Sequence, residues 1–557
     1  MHRRLTAFLK SRDGNVAMIF ALTIIPFLML AGMALDVGRT IMVRERLGQA
    51  IDAAILAVGA APELTEDEAQ ALGEQFFEAN YGDDLLGSTF DISVEIQGDV
   101  ITMSANAEVP TTLLAIAGKS SFNVHQEAEA VRGGNDVELV FVLDNTGSMR
   151  GSKIASLRDA ATSAVELLFD TATSDRDAVQ IGLVPFAATV NVGTDFDRVW
   201  WMDEAAASPA HHHEHTWNAD INRWDLFDAV NVNWAGCVES RAEPHDIEDT
   251  TPSVGDPDTL FTPYFAADAP GSRGRGWGNH YSSYESWLDD GEWTRALDED
   301  EISRGTMRGI RRSVSQALED VIGEGLDTSL GFGDGEYYDS EEGARQAYIG
   351  KYFESTRVYG DGPNQGCIEQ PIFPLSDDES GLLDAIDDME ANGNTNIVNG
   401  ISWGVRVLSP TAPFTEGRSY DDDELVKAMV VLTDGDNVMS GRTNANMSTY
   451  NTYGYIAEGR FGITPNGGYN GGNYGAVLSN RLDDKMPEVC DYAKDQGIRV
   501  YTITFQVRSA ATRRLMEECA STDDGGDPLY WNSPSNNELE QTFMEIARDL
   551  VELRLTK

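Results

Sequence analysis

Five side chains scattered along the 557-residue chain share one chemistry. Asp144, Thr146 and Ser148 stand at alternate positions in FVLDNTGSM, Thr395 lies in GNTNI, and Asp434 lies in VVLTDGDN. Two carboxylates and three hydroxyls are hard oxygen donors, with no His or Cys among them. Such a set suits a small hard cation, and Mg²⁺ prefers octahedral oxygen coordination with retained waters. The candidate metal ligands are therefore Asp144, Thr146, Ser148, Thr395 and Asp434, with Mg²⁺ expected and Ca²⁺ or Mn²⁺ as alternatives. Asp, Ser and Thr also populate turns for local reasons, so DxTxS alone is weak. Its weight comes from three segments in order, each at a strand end or loop. The chain has no GxSxG, Walker A or HExxH motif, which removes support for the common hydrolase, nucleotide and metalloprotease readings.

Ligands so far apart need a scaffold that gathers strand ends. VELVFVLD (137–144) is an apolar run of the kind buried in a parallel strand. VQIGLVPF (179–186), KAMVVLTD (427–434) and IRVYTITF (498–505) are three more. Helical patterns lie between them, from Ile154, Leu157, Ala161, Val165 and Leu168 on one face to a final helix over about Asn537–Leu553. This alternation predicts an α/β fold with a doubly wound parallel sheet, whose ligands bind beyond the carboxyl ends of the strands. Two stretches break the alternation: 195–370, rich in Trp, Asp, Gly and Tyr, and 438–477, which contains GGYNGGNYG. Both read as insertions at the rim. Upstream, 61–132 reads as a small α+β unit, with a helix in ELTEDEAQALGEQFFEANY and a hairpin turning at Gly98-Asp99. FNVHQEAEAVR adds a strand, and Gly133-Gly134-Asn135 is a linker to a domain spanning 135–557.

The first segment, 1–60, has a basic head (His2, Arg3, Arg4, Lys10, Arg12) and an uncharged run from Val16 to Leu35. At about 1.5 Å per residue that run matches the ~30 Å hydrocarbon core of a bilayer. It is longer than the roughly 7–15-residue core of a cleaved signal peptide. Leu47, Ile51, Ala54, Ile55 and Val58 then keep helical spacing, so an uncleaved anchor continuing into a helical extension is expected. Arg39, Arg44 and Arg46 leave the Lys/Arg balance only slightly in favour of a cytoplasmic start and an exported bulk. Cys237, Cys367, Cys490 and Cys519 suit two disulfides in an exported chain, with three connectivities open, or four buried thiols. The absence of CxxC argues against a zinc or thioredoxin-like site. A net charge of −51 repels phosphate backbones and anionic lipid surfaces, which excludes general nucleic-acid binding, while 41% hydrophobic content is globular. A solvated face suited to a saline medium is the simplest account of the acid excess.

Taken together, DxTxS, the later Thr and the later TDG resemble the metal-ion-dependent adhesion site of von Willebrand factor A domains. The resemblance implies that Thr146 and Ser148 ligate directly and that Thr395 does so in one conformational state. Asp144 and Asp434 would act largely through water, and a partner's acidic side chain would complete the shell. Thr146 stands where the family more often has Ser. The N-terminal RDGNVAMIFALTIIPFLMLAGMALDVGR, together with VPTTLLAIAG, WAGCVESR, ISWGVRVLSP and the terminal LRL, resembles TadG-type proteins of tight-adherence (Flp) pilus machinery. That family implies a single-pass protein of the bacterial inner membrane with a periplasmic or extracellular A domain, and pairing of Cys237 with Cys367 and Cys490 with Cys519. Gly14 is followed five residues on by Ile19, not by the Glu of processed pilin-like relatives.

Other signals carry less. The HHHEH tract (His211, His212, His213, His215) reads as a surface loop with incidental metal affinity, since no ligand partner is identifiable. Trp200, Trp201, Trp217, Trp224 and Trp234 read as a private core of the first insertion, and Asp298–Glu301 and Asp421–Glu424 as solvated faces. The sequence thus points to a non-enzymatic, membrane-anchored adhesion or assembly protein that binds an acidic partner residue, on a pilus or envelope component, through Mg²⁺. The rivals are an envelope scaffold with a residual metal site and, last, a metal-dependent hydrolase, for which neither a base nor a substrate pocket is identifiable.

Overall fold

The computed structural model describes residues 14–555, except 60, 62–63, 82–87, 98–99, 113, 132–135, 172–177, 209, 212–221, 270–285, 289–350, 355–356, 443–445, 463–473 and 524. The basic head, the Gly98-Asp99 turn, the Gly133–Asn135 linker, His212, His213, His215, Trp217, Asp298–Glu301 and most of GGYNGGNYG therefore lie outside the described residues. The chain forms two compact units, Met1–Gly134 with Leu555–Lys557, and Asn135–Arg554.

In the first unit a 46-residue helix, α1 (Gly14–Gly59), is followed by α2 (Glu66–Tyr81) and an antiparallel sheet of β1 (Ser88–Gln97), β2 (Val100–Pro110) and β3 (Ser121–Val131). The helical spacing after Asp36 is a packing face: Leu47, Ile51, Ala54, Ile55 and Val58 are all buried, against Ile101, Met103 and Ala105 of β2. Among the described residues no helix is long and apolar enough to cross a membrane; several side chains of the Val16–Leu35 run are outside that description. Ile19, Leu22, Phe27 and Leu30 of that run are exposed. Where the run ends, Asp36 is buried, and its carboxylate accepts the backbone N–H groups of Thr112 and Leu114, each at 3.0 Å.

The second unit is a six-stranded sheet in the order β6-β5-β4-β7-β8-β9, made of β4 (Asp136–Asp144), β5 (Val179–Phe186), β6 (Phe373–Ser376), β7 (Leu425–Thr433), β8 (Arg499–Phe505) and β9 (Tyr530–Ser533). All neighbours are parallel except the β5–β6 edge. Numbered within the unit this is 3-2-1-4-5-6, the doubly wound order, whose direction reverses between β4 and β7. Both faces of β4 are covered, which is why its sequence is nearly unbroken in apolar residues. Leu139, Phe141 and Leu143 pack with α3 (Ser152–Thr171), α5 (Glu379–Asp387) and α9 (Asn536–Leu555). Val140 and Val142 pack with α6 (Ile397–Leu408), α7 (Tyr474–Asp495) and α8 (Ala510–Cys519).

The described part of the first insertion, which includes α4 (Arg223–Val230), does not have a private core. Trp201, Trp224 and Trp234 are buried, but they belong to the same apolar cluster as Val140 and Val142 of the sheet. The link is a chain of rings in which Trp201 meets Phe261 edge-on at 5.5 Å and Phe261 meets Trp403 of α6 at 5.2 Å. Rings arranged this way attract through their quadrupoles as well as by burial. Trp200 is exposed. Cys237 is joined to Cys367 and Cys490 to Cys519, the pairing that the family resemblance implied.

Candidate functional site

The turn after β4 and the end of β7 meet at the switch point of the sheet, where parallel α/β sheets leave a crevice. Asp144 closes β4 with its side chain fully buried. Its Oδ1 accepts the Thr146 backbone N–H at 2.8 Å, and its Oδ2 accepts the Thr433 hydroxyl at 2.8 Å. Thr146 Oγ1 lies 2.9 Å from Ser148 Oγ, and Ser148 Oγ donates to Asp434 Oδ1 at 2.6 Å. Four of the five expected residues are thus brought together by hydrogen bonds, although 286 positions separate Ser148 from Asp434. Ser148 is the exposed member, and Asp144, Thr146 and Asp434 are buried.

Thr395 arrives by a different route. The N–H of Gly147 donates to the carbonyl of Gly393 at 3.0 Å, and that of Asn392 to Asn145 at 2.6 Å, which hold the 392–395 loop against the turn. Gly393 has φ +85°, a left-handed conformation that glycine adopts without steric cost. Thr395 itself is buried and pairs backbone to backbone with Val438. Among the described residues no hydrogen bond joins its hydroxyl to the other four donors.

The two carboxylates at the turn repel each other. Burial, and then the charge of Asp434, push the Asp144 carboxyl up to about 6, against the bonds from Thr146 and Thr433 that stabilise its anion. A positive ion beside the pair would relieve that repulsion, and the donors present are the hard oxygens that Mg²⁺ accepts. Among the described residues no group of three or more His, Cys, Asp or Glu is placed to hold a metal, so hydroxyls are indispensable to any cation here.

Two participants were not singled out from the sequence. Thr433 directly precedes Asp434 and spends its hydroxyl on Asp144. Lys153 places its ammonium 2.5 Å from Asp434 Oδ2. The signal for Lys153 was present: a lysine in the first turn of α3, at the positive end of the helix dipole, calls for a compensating anion. His211, by contrast, is structural. It is buried, its Nε2 accepts the Arg223 backbone N–H at 2.7 Å, and its Nδ1 lies 3.3 Å from Asp203.

Residues 14–61 match the family described as Tad, putative Flp pilus-assembly TadE/G-like. Among solved structures, the von Willebrand factor domain of the type V pilus tip protein Mfa5 from Porphyromonas gingivalis is 9% identical. That match covers 76% of this chain and 97% of that one, with a TM-score of 0.31. The pilus adhesin SpaC from Lactobacillus rhamnosus GG is 11% identical over 85% of this chain and 36% of its own, TM-score 0.30. A von Willebrand factor type A protein from Catenulispora acidiphila is 8% identical over 84% and 50%, TM-score 0.25. The chain thus spans little more than a third of the SpaC adhesin's length. No curated protein matches it. The chain is similar to the TadE/G-like Flp pilus-assembly family over residues 14–61, in line with the resemblance read from its N-terminal segment.

Proposed function

We propose that this chain is a membrane-anchored, non-enzymatic adhesion or assembly protein of tight-adherence pilus type. It captures an acidic side chain of a pilus or envelope protein through Mg²⁺ held by Asp144, Thr146, Ser148, Thr395 and Asp434. The observation that carries this reading is the 2.6 Å contact of Ser148 Oγ with Asp434 Oδ1, which unites donors from two strand ends in one cluster of hard oxygens. A bound divalent cation would supply Lewis-acid charge to which a third carboxylate is drawn. The anchor is the Val16–Leu35 run, supported by its exposed Ile19, Leu22, Phe27 and Leu30 and by the TadE/G-like match around it. On this reading the chain crosses the bacterial inner membrane once and holds its second unit in the periplasm or outside the cell.

Calorimetric titration of the full chain with Mg²⁺ tests the site. One saturable event is expected, lost in Asp434→Ala while the circular dichroism spectrum is retained, and a wild-type chain that takes up no Mg²⁺ rejects the reading. Crosslinking pull-down from the envelope should lose its partner on addition of EDTA. The scaffold reading is favoured by one observation, the Lys153 ammonium that already serves Asp434. Pilus assembly that proceeds normally with Asp434→Ala would select it.

A further inference from the structure

Both oxygens of Asp434 are taken in this structure, one by a hydroxyl and one by an ammonium. Ser148 Oγ donates to Oδ1 at 2.6 Å, and Lys153 Nζ donates to Oδ2 at 2.5 Å. The two donors differ in what they offer a cation. A hydroxyl keeps oxygen lone pairs for it, whereas an ammonium has three donors and no acceptor. A cation held by these oxygens is therefore compatible with Ser148 and repels Lys153. The lysine is free to yield. Its side chain is 23% exposed, and it stands in the first turn of α3 on a flexible four-carbon stem. The only other contact described for its ammonium is the Phe505 ring, 5.9 Å to the centroid. Arg150 belongs to the same turn but donates to the Ala391 carbonyl and to Asn392 Oδ1, so it bonds to neither carboxylate. The next acid along the chain, Asp436, accepts the Thr512 hydroxyl of α8.

Formal charge gives the lysine a second duty. Asp144, Asp434 and Lys153 together carry one net negative charge, and a divalent cation turns this into one net positive charge. Without the lysine the loaded cluster is neutral, and an arriving carboxylate leaves an uncompensated negative charge beside the buried Asp144. We propose that Lys153 is the residue that makes the site select an acidic partner. It leaves Asp434 when a divalent cation binds, and its ammonium then receives an oxygen of the partner's Asp or Glu. Lysine and cation thus compete for Asp434 and cooperate on the partner. This rests on the metal reading given above and adds to it a residue outside the five oxygen donors. In the unloaded chain the ammonium is spent on Asp434, so capture of an acid is coupled to occupancy of the site.

The test uses the full chain, MgCl₂ and two fluorescent peptides of equal length that differ only in a central Glu or Gln. Calorimetry reads the Mg²⁺ affinity, and fluorescence anisotropy at saturating Mg²⁺ reads the preference for the Glu peptide. Lys153→Met removes the competitor, so Mg²⁺ should bind about fivefold more tightly, the scale of a partly exposed ion pair. It also removes the receiver, so the preference for Glu over Gln should fall about tenfold, the scale of a charge-assisted hydrogen bond. Lys153→Arg keeps the charge and should retain most of the preference, with melting curves in Mg²⁺ confirming that each variant is folded. A lysine that merely holds Asp434 in position would instead move metal affinity and peptide preference in the same direction. If the wild type takes up no Mg²⁺, the metal reading falls and this proposal with it. If Mg²⁺ binds but the Glu peptide is not preferred, or Lys153→Met keeps the preference, or its Mg²⁺ affinity does not rise, the metal site stands and the role of Lys153 is overturned.

Discussion

Lys153 occupies a position that helix electrostatics alone disfavours, and Asp434 is what compensates it. Removing the ammonium leaves Asp144 and Asp434 facing each other, one fully buried, with their nearest counter-charge gone. Lys153→Met should therefore cost on the order of 2 kcal/mol in EDTA, less than breaking a fully buried pair because the lysine is partly exposed. Added Mg²⁺ should restore more stability to this variant than to the wild type; denaturant titrations with and without the ion read the difference, and equal gains would show that lysine and cation do not share a role. At this scale the sequence disclosed only residues whose place is marked locally. Asp144, Ser148 and Asp434 stand at or just beyond apolar runs that must be strands. Thr433 acquires its role only when β7 is laid beside β4, and the anion that the position of Lys153 calls for is identified only by that same pairing, which no local pattern records.

Helix α6 shows how an element is pressed into place by what its residues lack. A Cβ at Gly400 would lie 2.7 Å from the Phe186 ring, and one at Gly404 2.7 Å from Val142 Cγ2 and 2.8 Å from the end of Met429. Alanine at either position should destabilise the second unit by about 1–3 kcal/mol through overpacking. Gly400→Ala should be the worse, because a buried ring yields less than a methionine tip, and because the Phe186 carbonyl accepts the Asn145 N–H beside the site. Urea denaturation of the two variants decides it; a Gly400→Ala chain as stable as wild type would mean that α6 can retreat from the sheet. The four long strands were readable from their apolar runs, since burial on both faces leaves no polar alternation. The short β6 and β9 were not, because four residues apiece carry no period. That the first insertion is not self-contained is not legible, because its aromatics have no periodicity; Trp201 and Phe261 pack ring on ring towards Trp403 of α6.

Across the whole molecule the acid excess is not confined to solvent. Glu239 is buried between Arg223 and Arg460, and Glu458 is buried near it with a carboxyl pushed up to about 8 by burial and then by the charge of Glu239. A carboxyl raised from 4.5 in this way favours the neutral form in the fold. Its contribution is complete below its ordinary titration range and is lost as pH rises through about 8. Asp144 acts in the same direction, with its loss complete by about pH 6 to 7. Stability measured in EDTA should therefore decline from pH 5 to 8, and Glu458→Gln should flatten the upper part of that decline; an unchanged slope would remove Glu458 as its source. The sequence could give the net charge but not which carboxylates are enclosed, since enclosure depends on the fold of the insertions. Because Asp36 binds Thr112 and Leu114 where the apolar run ends, and the rest of α1 packs on its sheet, tension would meet folded structure at once if that run is held in a bilayer as proposed. On that reading α1 acts as a stiff strut, and a tug on its far end is borne by the hydrogen bonds of Asp36 and a packed face together.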